Sequence, residues 1–355
     1  MLTELRLADF RCFERLRFSP SPGTNFLIGA NAQGKTSILE AVCVVTRLQS
    51  PRTSSLSEVV RHGQPGTAVD AHVAGAHLHF RYEPQRGGSS ARSLTLDSVP
   101  QSGSADYLRV ARIAWFSNDD MEIIRGAASK RRRSIDFLCA QLDPGYSRHL
   151  RAYERALRSR NALLKDVRPR REIEAFDPVL AGHGDALVAI RKEAADALAP
   201  LLTQAVRDIG GGAESATSRY EQAFAGALLE ALAATRGEES RLRQTIAGPH
   251  RDDLVLELNG MDAAKFASEG QQRTLAVALK LAQTRLIIAR TGRTPILLID
   301  DVFGELDPVR RQNLLAHLPP DAQRLITTTH LDWLDPTLRG DVFRLQDRAL
   351  ERETR

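Results

Sequence analysis

Gly29-Ala-Asn-Ala-Gln-Gly34-Lys35-Thr36 is preceded by an apolar run at 25–28 and followed by an apolar stretch of helical length at 37–46. Few sequence features restrict a fold as strongly. The glycines let backbone N–H groups turn inward on an anion, the lysine adds a cation, and the threonine hydroxyl is a ligand for a divalent metal. The helix that follows presents its N-terminus to the same anion. Strand, loop and helix in this order are a phosphate-binding loop, and they predict an α/β core with the loop at the end of a buried strand. A second apolar run, 296–299, ends in Asp300-Asp301. A buried strand that delivers a carboxylate beside such a loop holds the Mg²⁺ shell of a P-loop ATPase, and Asp301 is then placed to position the attacking water.

The rest of the 355 residues sorts by texture. Short strands are predicted around Leu5 and Leu7 and around Phe13, Leu16 and Phe18. A hairpin is predicted over 67–82, turning near Gly75, with a flexible turn at 85–90 and a strand at 111–116. Residues 119–245 are rich in Ala, Leu, Arg and Glu, and read as several helices punctuated by glycine. Strand-like runs return at 253–258, 296–299 and 324–328, with a helix over 271–290 among them. The expected organisation is a first head segment 1–118, a helical lobe 119–245 and a second head segment 246–355.

Two further features narrow the class. Ser268-Glu-Gly-Gln271 opens the 271–290 helix. Alone it is a capping box, with Ser at the N-cap and Gln at N3. A capped helix start with glycine in its first turn is also an anion site, and ATP-binding-cassette proteins use such a site on one subunit to grip the γ-phosphate held by the other. Glu305-Leu-Asp307 and then His330 follow in the cassette order. His330 alone reads as a surface histidine, but after the strand at 324–328 it reads as a γ-phosphate sensor.

The opening LRLADFRCFERLRF, the loop GANAQGKTS, Gly248-Pro-His-Arg-Asp-Asp-Leu254, Ser268-Glu-Gly-Gln-Gln-Arg273 and Ile299-Asp-Asp-Val-Phe-Gly-Glu-Leu-Asp307 together resemble the RecF family of gap-repair proteins, within the SMC-like cassette ATPases. The resemblance runs from the N-terminus to about residue 335. It implies an α/β fold: an ABC-type P-loop ATPase head assembled from both chain ends, with a helical lobe inserted. It implies ATP and Mg²⁺ as cofactors. Gly29, Ala30, Asn31, Ala32, Gln33, Gly34, Lys35, Thr36 and Ser37 would bind the triphosphate, with Thr36 and Asp300 as metal ligands. Asp301 and His330 would be catalytic, and Ser268, Gly270, Gln271 and Asp307 would complete the site across an ATP-dependent homodimer. Slow hydrolysis, duplex DNA near single-strand gaps, and RecR and RecO as partners in loading RecA are further implications. The chain departs from the family pattern in carrying Asp301 where transporter cassettes carry Glu, Gly304 where Ser is usual, Asn118 where proline is expected, and Gln49-Ser-Pro-Arg52 for an Arg-Ser-Phe-Arg-like run.

Charge singles out a second surface. The net charge is only +5, yet arginine is concentrated at Arg131, Arg132 and Arg133 and along a helical stripe of Arg148, Arg151, Arg155 and Arg158, opposite Leu150, Tyr153, Leu157 and Leu164. The cluster Arg131, Arg132 and Arg133 and the stripe both read equally as a solvated face or as a sequence-independent phosphate surface that binds DNA. No zinc finger or RNP motif supports base-specific reading. His77 and His79 share a strand face with no third ligand placed, and read as a surface strand. Three cysteines without a CxxC fit a reducing cytoplasm. The distance between the loop and Ser268 argues against a compact transporter subunit, and the absence of a long heptad run argues against a full SMC arm. A nucleotide-switched DNA scaffold with negligible hydrolysis is the alternative reading.

Overall fold

The strand before the loop, Thr24–Ile28, is buried at every residue. Such a strand needs neighbours on both edges and cover on both faces. In the computed structural model it lies inside a six-stranded sheet ordered Ala349–Glu353, Asp341–Gln346, Thr24–Ile28, Arg324–Thr328, Ile296–Asp300 and Ile113–Ser117. Pairing is parallel except for the antiparallel hairpin at the Ala349–Glu353 edge. Both chain ends therefore contribute to one sheet. The structure describes residues 1–85, 90–212, 214–333 and 339–353. Most of the turn expected at 85–90 lies outside them.

The helix after the loop, Lys35–Arg47, starts two residues earlier than predicted, because Gly34 takes a left-handed conformation (φ 108°) and turns the chain directly into it. A second six-stranded sheet is antiparallel, in the order Phe13–Phe18, Leu2–Phe10, Thr67–Val73, Ala76–Pro84, Ser90–Leu96 and Val99–Pro100. Its 67–82 hairpin turns at Ala74-Gly75, as expected, with φ 52° and 82°. The hairpins at Asp97-Ser98 and Asp347-Arg348 use the same left-handed pair without glycine, which is why their strands escape a search for Asn-Gly turns.

The chain divides into two units, Met1–Asn118 with Ile287–Arg355, and Asp119–Leu286. The second boundary differs from the expected 245/246. The reason is a strand in the alanine- and arginine-rich middle, Ala216–Glu221, which pairs antiparallel with Asp253–Leu258 and keeps residues beyond 246 in the second unit. The first part of the helix Glu269–Thr291 is tied there too: Lys280 pairs with Asp120 at 3.0 Å, Gln283 donates to Ser134 Oγ at 3.0 Å, and Arg285 pairs with Asp208 at 2.6 Å. The unit is otherwise helical, built on Ala128–Leu142, Tyr146–Lys165, the long Asp177–Gly210 and Leu228–Leu242. Among the described residues, no helix is long and apolar enough to cross a membrane.

Candidate nucleotide site

The loop lines a cavity of about 560 Å³ in the first unit, together with Arg11, Cys12, Arg52, Glu58, Val60, His62, Asp300, Asp301 and Thr327. Its shape depends on small residues at fixed places. A Cβ at Gly29 would lie 2.4 Å from the Leu345 carbonyl oxygen, and one at Gly34 would meet Cys12 Sγ and the Phe13 ring. Ala32 is also left-handed, at φ 64°. The Lys35 ammonium folds onto its own loop, donating to the carbonyls of Gly29 at 2.6 Å and Ala30 at 2.9 Å. Burial lowers the Lys35 pKa, against the pull of Asp301 and Asp300. Ser37 N–H closes on Gly34 O at 2.9 Å, the first bond of the helix.

The two candidate metal ligands, distant in sequence, meet through the sheet. Thr36 Oγ1 donates to Asp300 Oδ1 at 2.8 Å. Thr327 Oγ1 donates to the same oxygen at 2.7 Å, because Asp300 and Thr327 are register partners in the parallel sheet. Burial first, then the neighbouring Asp300, raises the Asp301 pKa from its ordinary value. On the cavity wall Arg11 makes a bidentate pair with Glu40, at 2.8 and 2.6 Å. Glu40 is fully buried, and also receives Ser50 Oγ at 2.5 Å and Arg52 Nη1 at 3.4 Å. A cradle closed to a Cβ at Gly29 and Gly34, a long flexible ammonium and a hydroxyl beside a carboxylate suit a triphosphate with a divalent metal.

Over residues 1–336 the sequence matches the family described as the RecF/RecN/SMC N terminal domain. The DNA replication and repair protein RecF of Anaeromyxobacter sp. is 38% identical over 356 residues, covering 96% of this chain and 95% of that protein. The RecF of Agathobacter rectalis is 33% identical over 337 residues, covering 94% and 93%. The chain belongs to the RecF family. A solved structure of the recombination mediator protein RecF with ATP, in the RecFOR pathway, superposes with a TM-score of 0.87 at 26% identity, covering 99% of this chain and 97% of that one. An Smc head bound to the C-winged helix domain of ScpA shares the fold, with a TM-score of 0.55 at 14% identity over 99% and 96%. The architecture is thus the ABC-type P-loop ATPase head with an inserted helical lobe.

The remaining RecF-family positions lie elsewhere. Ser268 N–H donates to Gln271 Oε1 at 2.8 Å and Ser268 Oγ receives Gln271 N–H at 3.3 Å, a reciprocal capping box in the second unit. Gly270 gives its carbonyl to Thr274 Oγ1 at 2.9 Å. Asp307 caps the helix Pro308–His317, accepting from Arg310 N–H at 3.0 Å. His330 is 59% exposed, lies 3.5 Å from Asp332, and is not among the cavity's lining residues. His77 and His79 do share a face, and Asp70 bridges them at 3.3 and 2.8 Å.

The arginines divide by partner. Arg131 makes a bidentate pair with Asp253, both bonds at 2.7 Å, and Arg132 donates to Asp252 O at 2.6 Å, so both serve the interior of their unit. Arg133 is half-buried beside them, whereas Arg148, Arg151, Arg155 and Arg158 are exposed along Tyr146–Lys165. Sequence reasoning passed over Arg11, Glu40 and Thr327. The run Thr327-Thr-Thr329 before His330 was the available signal for a hydroxyl at the end of a central strand.

Proposed function

We propose that the chain is an ATP-dependent DNA-repair switch of RecF type. The observation that carries this reading is the meeting of Thr36 Oγ1 and the Asp300 carboxylate at 2.8 Å on the wall of a cavity that also holds Lys35 and Asp301. Residues 29–37 cradle the triphosphate, and Lys35 exchanges the carbonyls of Gly29 and Ala30 for phosphate oxygens. Thr36 and Asp300 hold the metal. Mg²⁺ held there would neutralise charge developing on the phosphates. Asp301 positions the attacking water. Ser268, Gly270 and Gln271 of a second copy approach the γ-phosphate, with Asp307 and His330 at the edge of the completed site, so that nucleotide and dimer form together. The exposed stripe Arg148, Arg151, Arg155 and Arg158 contacts the phosphates of duplex DNA near a single-strand gap, and the dimer acts with RecO and RecR in loading RecA. Hydrolysis is slow, stimulated by DNA, and ends the bound state.

Sedimentation and ATP turnover, each with and without gapped duplex, test this reading. The expected result is a dimer that needs ATP, turnover raised by DNA, and DNA affinity that falls with salt at a slope of about −0.9 per phosphate neutralised. A chain that stays monomeric with ATP and turns over independently of DNA would sink it. The Asp301 carboxylate, one methylene shorter than the Glu of transporter cassettes, favours a second reading, a scaffold switched by nucleotide binding alone. Asp301→Asn separates the two: it prolongs the dimer if hydrolysis ends the bound state, and changes nothing in a scaffold.

A further inference from the structure

Asp301 has φ 54°, in the left-handed region that residues with a Cβ seldom adopt. Such a conformation persists only where surrounding bonds fix it, and Asp301 is fixed at both ends. Its N–H donates to Thr327 Oγ1 at 3.0 Å, with Thr327 O at 3.3 Å. Its carbonyl accepts from Asn118 Nδ2 at 3.2 Å. The Thr327 hydroxyl that receives this N–H also donates to Asp300 Oδ1 at 2.7 Å. One hydroxyl thus links the backbone of one carboxylate residue to the side chain of the other.

The two clamp residues come from the strands on either side of Ile296–Asp300. Thr327 lies on Arg324–Thr328, and Asn118 follows Ile113–Ser117. Thr327 is buried, so its hydroxyl has a fixed place. Asn118 is exposed and fills no core, which leaves its amide as its contribution.

We propose that Thr327 and Asn118 are positioning residues, a two-sided clamp that holds Asp301 in its left-handed backbone and so aims its carboxylate into the cavity. The proposal rests on reading that cavity as an ATPase site. Released from either side, Asp301 relaxes toward a common backbone conformation and its carboxylate swings away from the line of attack. Release on the Asn118 side leaves nucleotide affinity, set by the loop and Lys35, untouched.

The test measures steady-state ATP turnover with Mg²⁺, and ATP affinity by calorimetry, on the full chain and on Asn118→Ala, Thr327→Val and Thr327→Ser. Asn118→Ala and Thr327→Val are expected to lower kcat about ten- to a hundredfold, the scale of a misplaced catalytic group. Kd for ATP is expected to hold in Asn118→Ala, whereas Thr327→Val also removes a donor to Asp300 and is read on kcat and on its recovery in Thr327→Ser. Thr327→Ser, which restores the hydroxyl, recovers most of that loss. Unchanged kcat in Asn118→Ala and Thr327→Val overturns the clamp. So does a Thr327→Ser as slow as Thr327→Val, which assigns the effect to the methyl group and packing. A parallel loss of affinity and kcat in the exposed-site variant Asn118→Ala assigns it to the fold. Absence of turnover in the unsubstituted chain, with ATP bound, instead overturns the ATPase reading itself.

Discussion

Arg160 and Arg11 are both locked to carboxylates, one in each unit. Arg160 is 1% exposed and spends its guanidinium inside the helical unit, on Asp177 at 2.9 Å, Glu239 at 2.7 Å and Thr245 Oγ1 at 2.8 Å. Arg191 does the same with Asp136 and the carbonyl of Pro249. Arg11 also has a fully buried partner, Glu40, but keeps 22% of its own side chain exposed on a cavity wall. Around that cavity the backbone is left-handed at Ala32, Gly34 and Asp301, and Asp301 carries a raised pKa. A buried charge with each guanidinium nitrogen bonded inside the unit holds helices together. Arg11 is bonded at each nitrogen as well, to Glu40 and to the Glu58 carbonyl. What sets its surroundings apart is partial exposure, left-handed backbone and an open volume, the marks of a site that receives something from solution.

The strongest way to break this contrast is Arg160→Ala. Truncation leaves Glu239 buried without its cation and Asp177 with only Arg236 at 3.4 Å, a situation that costs about 3–5 kcal/mol. Urea unfolding should show a loss of that size. A loss under about 1 kcal/mol would mean that the network is no more than a surface-grade ion pair, and the division between the units would fall.

His250 gives a test by pH. It is half-buried, with Tyr153 Oη at 2.6 Å from Nδ1 and Thr245 O at 3.1 Å from Nε2, and loss of solvent around it lowers its pKa from 6.5 to about 4. The folded chain thus keeps His250 neutral where the unfolded chain takes up a proton. Its contribution is complete above about pH 6.5 and is lost as pH falls toward about 4, about 3 kcal/mol in all. Thermal denaturation across that range should show the decline, and His250→Gln should flatten it. An equally steep decline in the variant would place the sensitivity elsewhere.

In the first unit the corresponding substitution changes binding more than stability. Lys35→Ala removes a charge-assisted donor to phosphate, worth about 1.5–3 kcal/mol, or about ten- to a hundredfold in ATP affinity. Its present partners, the loop carbonyls of Gly29 and Ala30, can turn to water. Calorimetry with ATP should therefore show the loss while the unfolding midpoint hardly moves. An equal fall in both would make Lys35 a structural residue like Arg160.

What the sequence discloses follows the same division. The loop, the strand ending in Asp300-Asp301 and the capping box at Ser268 are contiguous, and their chemistry depends on residue types at short spacing. Thr327 and Asn118 acquire their roles through sheet register, which brings residue 327 beside 300 from a distant part of the chain. Glu40 is hidden for another reason. It occupies the helix Lys35–Arg47 among apolar neighbours, and its significance lies in Arg11, Ser50 and Arg52, which come from elsewhere. The unit boundary was misplaced because Ala216–Glu221 has the composition of its helical surroundings, and only its pairing with Asp253–Leu258 makes it a strand. Arg160 shares a helix face with Tyr153 and Leu164. Its phase was visible, but nothing nearby in sequence supplied the two carboxylates that make burial tolerable.

The smallest expected effect sharpens the comparison within a single helix. Arg155 and Arg160 both lie on Tyr146–Lys165, yet Arg155 is exposed and Arg160 is buried. Arg155→Ala should change unfolding free energy by no more than about 0.5 kcal/mol, the usual range for surface positions. If the stripe meets DNA phosphates, the same variant should lower the slope of log affinity against log salt by about 0.9, uniformly across DNA sequences. Fluorescence anisotropy on gapped duplex over a salt series measures that slope. A stable variant with an unchanged slope would make the stripe a solvated face, the outcome that composition alone left equally open. A destabilised variant would mean that exposure on this helix does not separate functional arginines from structural ones, and the contrast between the two units would need another basis.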